Sequence, residues 1–77
     1  MPTVLREDGY RFFFFSDEHL PRHLHIEKGD SYMRIELESL KVTDSYKISS
    51  KEITKLKKIT EKNKELFIGA WNEYFKY

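Results

Sequence analysis

The chain of 77 residues has no cysteine, only three glycines and two prolines, and a net charge of just +1. Without Cys there is no disulfide, no thiolate to hold zinc and no sulfur nucleophile, a composition that fits a reducing cytosol. No internal repeat or low-complexity linker breaks the chain. The uncharged apolar runs, Phe12 to Phe15 and Leu66 to Trp71, are far short of the roughly 20 residues of a membrane span. The Met1-Pro2 start carries no signal-peptide pattern. These absences lead us to expect a soluble cytoplasmic protein with no membrane partner. Gly-rich phosphate loops, nucleophile elbows and zinc-finger spacings are also missing.

What is present fits one small domain over residues 1–77, with a β part at 1–48 and a helical part at 49–77. A domain of this length buries only about 60% of its unfolded surface, so a partner or an ion is the expected supplement. Charge is unevenly spread. Residues 1–48 carry seven Lys/Arg and nine Asp/Glu, whereas residues 49–77 carry seven Lys and four Glu. The basic character lies in the C-terminal segment.

Pattern predicts an α+β fold: a small antiparallel sheet of about four to five strands, then a C-terminal helix or helix pair. Thr3 to Arg6, Tyr10 to Ser16, His23 to Lys28, Tyr32 to Glu38 and Lys41 to Tyr46 read as strands, with turns at Glu7-Asp8-Gly9 and Gly29-Asp30. Asp17 to Pro21 reads as a loop. Ser49 followed by Glu52 is a capping-box pattern. After it, Ile53, Leu56, Thr60, Asn63, Phe67, Ala70 and Tyr74 form one helical stripe with Trp71 alongside. Thr60 and Asn63 interrupt that stripe, so the helix is either continuous or bent there.

The two-residue turn sets a register with Leu24 opposite Ile35, Ile26 opposite Met33, His25 opposite Arg34 and His23 opposite Glu36. One face is apolar and lies under the helix. The other carries His23, His25, Glu27, Tyr32, Arg34, Glu36 and Glu38, and is expected to be open. Phe12 and Phe14 point to one side, Phe13 and Phe15 to the other. Burying a Phe is worth roughly 1.5–3 kcal/mol, so exposed Phe13 and Phe15 would favour a homodimer or a protein partner. A strand buried on both sides by other chain segments explains the same pattern.

All three histidines lie between positions 19 and 25. His23 and His25 would share a face, with Glu36 placed to orient His23. Acid–base work on a phosphodiester would use the two imidazoles, with Arg34 or Arg22 holding phosphate. Metal binding would use both imidazoles plus Glu36 or Glu27, which makes a divalent cation the one cofactor to consider. Alternation alone also gives His-x-His on a solvated hairpin. Lys51, Lys55, Lys58 and Lys62 fall within about 60° on the side opposite the apolar stripe. They form either a solvated face or a surface for a phosphate backbone, RNA or DNA, or for an acidic partner.

The opening MPTVLR, then GYRFFFFS, the segment EHLPRHLHIEKG and the ending AWNEYF together resemble a family of small bacterial proteins, a domain of unknown function. Its signature E-H-x-P-x-H-x-H is matched by Glu18, His19, Pro21, His23 and His25. Members commonly carry a second proline where Arg22 stands and Asn where Asp17 stands, so Arg22 adds a charge. Genes of that family often lie beside one encoding another small domain, so the resemblance implies a toxin–antitoxin-type component whose small cognate protein partner is encoded by the adjacent gene, and supplies no reaction. An interaction protein is therefore the leading expectation, contacting its partner through the Phe-bearing strand. RNA cleavage and metal binding through His23 and His25 are the alternatives.

Overall fold

Two tight turns set the sheet. Asp8 and Gly9 both take positive φ, 54° and 83°, as a type I′ turn requires and an Asp-Gly pair supplies. They join β1 (Thr3–Glu7) to β2 (Tyr10–Phe13), with Glu7 opposite Tyr10. Gly29 (φ 57°) and Asp30 join β3 (His23–Lys28) to β4 (Ser31–Glu36). The expected register follows, with His23 facing Glu36, Leu24 Ile35, His25 Arg34 and Ile26 Met33. With β5 (Val42–Tyr46) these strands form an antiparallel sheet in the order β1-β2-β3-β4-β5. The computed structural model of the chain describes residues 3–15 and 19–75. Expectations for Met1-Pro2, for Ser16, Asp17 and Glu18, and for the terminal Lys76-Tyr77 lie outside the described residues.

Ser49 caps α1 (Ser50–Lys62). Its hydroxyl accepts the Glu52 N–H at 3.1 Å, and Glu52 Oε1 accepts the Ser49 N–H at 3.2 Å, the reciprocal pair of a capping box. Asn63, at φ −107° and ψ 20°, separates α1 from α2 (Lys64–Phe75). Its side-chain amide donates to the Ile59 carbonyl at 2.9 Å, and the buried Thr60 hydroxyl donates to Leu56 at 2.8 Å. Such bonds compete with the helical ladder and bend it. A straight rod of this length would span roughly 40 Å, whereas the longest extent of the molecule is 34 Å. Among the described residues no helix is long and apolar enough to cross a membrane.

Both helices pack on one face of the sheet. Tyr10, Phe12, Phe14, Leu24, Ile26, Met33 and Ile35 meet Leu56, Ile59, Phe67 and Trp71. Phe12 stacks on Phe67 at 5.6 Å between ring centroids, and Phe14 meets Trp71 edge-on at 5.3 Å. The apolar stripe expected in the helix needs correction beyond Asn63. Trp71 is fully buried while Tyr74 is 44% exposed, because the break rotates α2 out of the phase of α1. Two strands also end early. β2 stops at Phe13 because Phe14 turns into the core between Trp71 and Phe75. β4 stops at Glu36 because Leu37 to Ser39 form a turn, closed by the Leu40 N–H donating to the Glu36 carbonyl at 3.0 Å.

Candidate functional site

Alternation and register decide what the helix-free face of the sheet displays. It carries Arg6 from β1, Arg11 and Phe13 from β2, and His23, His25 and Glu27 from β3. Tyr32, Arg34 and Glu36 from β4 and Asp44 and Tyr46 from β5 complete it.

The expectation that this face leaves its histidines open is corrected by their burial. His23 and His25 are only 3% and 4% exposed. The cause is an aromatic cluster assembled around them. Phe13, the register partner of His25, stacks on it at 5.5 Å, and Tyr32 stacks at 5.9 Å. Past the end of β2 the chain brings Phe15 to 4.4 Å from the His25 ring and 5.3 Å from Phe13. The Arg11 guanidinium lies 4.2 Å above the Phe13 ring, at a cation–π distance. The His23 ring is 5.2 Å from His25 and 5.2 Å from Trp71 of α2. Phe13 and Phe15 therefore have different fates. Phe13 is buried, whereas Phe15 covers His25 and remains 40% exposed.

Hydrogen bonds hold both rings. His23 Nδ1 lies 2.9 Å from the Pro21 carbonyl. A carbonyl only accepts, so Nδ1 carries a proton and the neutral ring has its lone pair at Nε2. His25 Nδ1 is 2.7 Å from the Tyr32 hydroxyl, a group that either donates or accepts. Pro21 itself follows a cis peptide bond. His19 is exposed and outside any strand.

Among the described residues, Glu36, Arg34 and Arg22 each bond to groups other than these histidines, although the strand register is the expected one. Glu36 accepts a hydrogen bond from the Ser39 hydroxyl at 2.9 Å. Arg34 donates to Thr43 Oγ1 at 3.2 Å. Arg22 is engaged at two points, donating from Nε to Asn72 of α2 at 3.0 Å and pairing with Glu38 at 2.9 Å. It braces α2 against the end of the β3–β4 hairpin. For metal binding, the described residues contain no group of three His, Asp or Glu side chains arranged to hold an ion. Glu27, the alternative third ligand, pairs with Arg11 at 3.2 Å.

Lys51, Lys55, Lys58 and Lys62 are all exposed along α1. Lys51, Lys55 and Lys58 line a groove of about 490 Å³ with Asp8, and Lys55 Nζ lies 3.2 Å from the Asp8 carboxylate. Sequence reasoning did not single out Arg11, Tyr32, Arg6, Lys28 or Asp8. Alternation had already placed Tyr32 on the face of His25. The contributions of Arg6, Arg11, Lys28 and Asp8 depend on which turns meet at one end of the sheet, and no local pattern carries that.

A family model described as Domain of unknown function (DUF4160) matches residues 9–72. That stretch holds the histidine segment and most of both helices. A search of curated proteins finds no significant match, and a search of solved structures finds none either.

Proposed function

The chain belongs to this family of unassigned activity, and from that premise we propose that it is a protein-binding module. It would pair with a small partner protein through the helix-free face of the sheet, in the manner of a toxin–antitoxin component. The observation that carries this reading is the make-up of that face. Phe15 is 40% exposed above His25, and Tyr46 on β5 is 58% exposed. Arg6, Arg11 and Arg34 are set among Glu27, Glu36 and Asp44. Protein interfaces enrich aromatic residues and Arg at their centres, and the two lysines nearest these groups, Lys28 and Lys47, stand at strand ends. Three cations against three anions complement the mixed charges of another protein's surface. The burial of His23 and His25 supports the same reading, since rings held inside a cluster stiffen the surface above them.

The test is co-expression with the product of the adjacent gene, followed by size-exclusion chromatography with light scattering. The expected result is a hetero-complex that melts above the free chain. Truncating a central aromatic contact typically costs about 2 kcal/mol, roughly thirtyfold in Kd. Phe15→Ala and Tyr46→Ala should each weaken the complex by that order, while Lys62→Ala should not. A monomer that gains no stability from its neighbour, or a complex indifferent to both aromatic substitutions, would overturn the proposal. A homodimer lost in the same variants would replace the partner with a second copy.

A further inference from the structure

We propose that the end of the molecule carrying the β1–β2 and β3–β4 turns binds the phosphate backbone of a nucleic acid without reading its sequence. Two open pockets adjoin there. One, of about 350 Å³, sets Arg6, Arg11 and Lys28 against the carboxylate of Glu27. The other, of about 490 Å³, sets Lys51, Lys55 and Lys58 against that of Asp8. Consecutive residues join them, since Asp8 lines one pocket and Gly9 the other. One lysine from each also reaches the same ring: Lys28 Nζ is 4.9 Å and Lys55 Nζ 5.8 Å from the Tyr10 centroid. The Lys28 stem crosses close over Gly9, where a Cβ would come within 3.1 Å of it. The two pockets thus form one continuous basic surface.

Charge decides what such a surface fits. Each pocket holds three cations and one carboxylate, an excess of two, while the whole chain is only +1. Like charges at three- and four-residue spacing on α1 work against the helix, so solubility alone would favour mixed signs. Lysines are depleted from the centres of protein interfaces but are suited to neutralising phosphates. A single small anion is the poorer fit, because the positive charge is spread over two pockets. The Arg11 guanidinium is moreover already committed to Thr3 at 2.8 Å and Glu27 at 3.2 Å. Tyr10 is buried and offers no stacking face to a base, which leaves contacts to phosphate and hence no sequence preference.

The test is fluorescence anisotropy of the full chain with a labelled single-stranded RNA of 20 or so nucleotides in mixed sequence. If Arg6, Lys28, Lys51 and Lys58 met phosphates while Arg11 and Lys55 kept their carboxylates, log K would fall against log salt with a slope of about −3, roughly a 50-fold loss between 50 and 200 mM. The double variant Lys51→Glu/Lys58→Glu should bind at least about tenfold more weakly with a shallower slope. Asp8→Asn should bind several-fold more tightly. Asn tolerates the positive φ of that turn, so a gain there could not come from a damaged fold. The proposal is overturned if no binding occurs at 50 mM salt, or if the salt slope is near zero. It is also overturned if the folded charge-reversal variant binds like wild type, or if tripolyphosphate at matched phosphate concentration displaces the RNA. Because Lys51 and Lys58 lie on α1, that variant should keep the partner complex proposed above, so the two readings fail independently.

Discussion

Tyr10 and Glu52 stand 42 positions apart, yet the phenol donates to Glu52 Oε2 at 2.5 Å. The other carboxylate oxygen accepts from the backbone and hydroxyl of Ser49, so one side chain fastens the helix N-terminus to the sheet. The bond to Glu52, reinforced by burial and by the negative charges of Glu52 and Asp8, pushes the Tyr10 phenol up to about 12. Donation from Tyr10 and then from Ser49, with Lys28 nearby, holds the Glu52 carboxyl below its ordinary range. The signs are opposite. A phenol raised on folding contributes its stability in full below its ordinary value near 10 and loses it as pH climbs through about 12. The carboxylate contributes above its ordinary range and loses that contribution as pH falls through its lowered value. Tyr10→Phe should therefore lower the urea midpoint at pH 8 and flatten the decline between pH 10 and 12. Urea titrations of both proteins across that window check it, and parallel declines would refute the role of the bond. Half of this link is legible in the sequence, because Ser49 and Glu52 cap a helix by local spacing. The Tyr10 half depends on where the sheet lays the start of β2, and spacing says nothing of that.

Elements punctuated by short-range chemistry are the legible ones. Gly29-Asp30 fixes the β3–β4 register to the residue, since a two-residue loop allows little else. Ser49 likewise fixes where α1 starts. The helix interior is less readable, because Thr60 and Asn63 interrupt an apolar stripe without revealing that both bond back to carbonyls. The phase change that buries Trp71 and turns Tyr74 outward follows from that break. β2 is misread for a related reason: four consecutive phenylalanines favour a strand, but Phe14 gains more by packing on Trp71 than by continuing the ladder. At this scale Ser49→Ala should destabilise the protein by about 1 kcal/mol, within the 0.5–2 range of lost N-caps. The urea midpoint should fall at an unchanged m value, as expected when stability changes without a change in exposed surface. A midpoint that stays put would mean that Glu52 and Tyr10 hold the helix start without the cap.

The molecule as a whole is aromatic on both sides of one sheet, and β2 with the two residues after it supplies both clusters. Phe12 and Phe14 enter the core beneath the helices, while Phe13 and Phe15 build the layer around His23, His25 and Tyr32. Alternation foretells this division. It does not foretell that His, Tyr and Arg on a polar-looking face will bury their rings and stems against one another, because each has an apolar body and a polar tip. His23 and His25 are thus buried members of this layer, while His19 remains exposed. That burial has a mechanical consequence. If the helix-free layer is packed like a core, Phe13→Ala should cost about 3–5 kcal/mol, the range for removing an interior aromatic ring, and should match Phe12→Ala. Phe15→Ala, at a position still in contact with solvent, should cost closer to the ~1 kcal/mol of an ordinary substitution. Against a total of roughly 5–15 kcal/mol for a domain, the first loss threatens folding and the second leaves a folded surface for binding measurements. Urea unfolding of the three variants decides the matter. A Phe13→Ala protein less than about 1 kcal/mol weaker than wild type would show that only the helix-covered face holds the fold together.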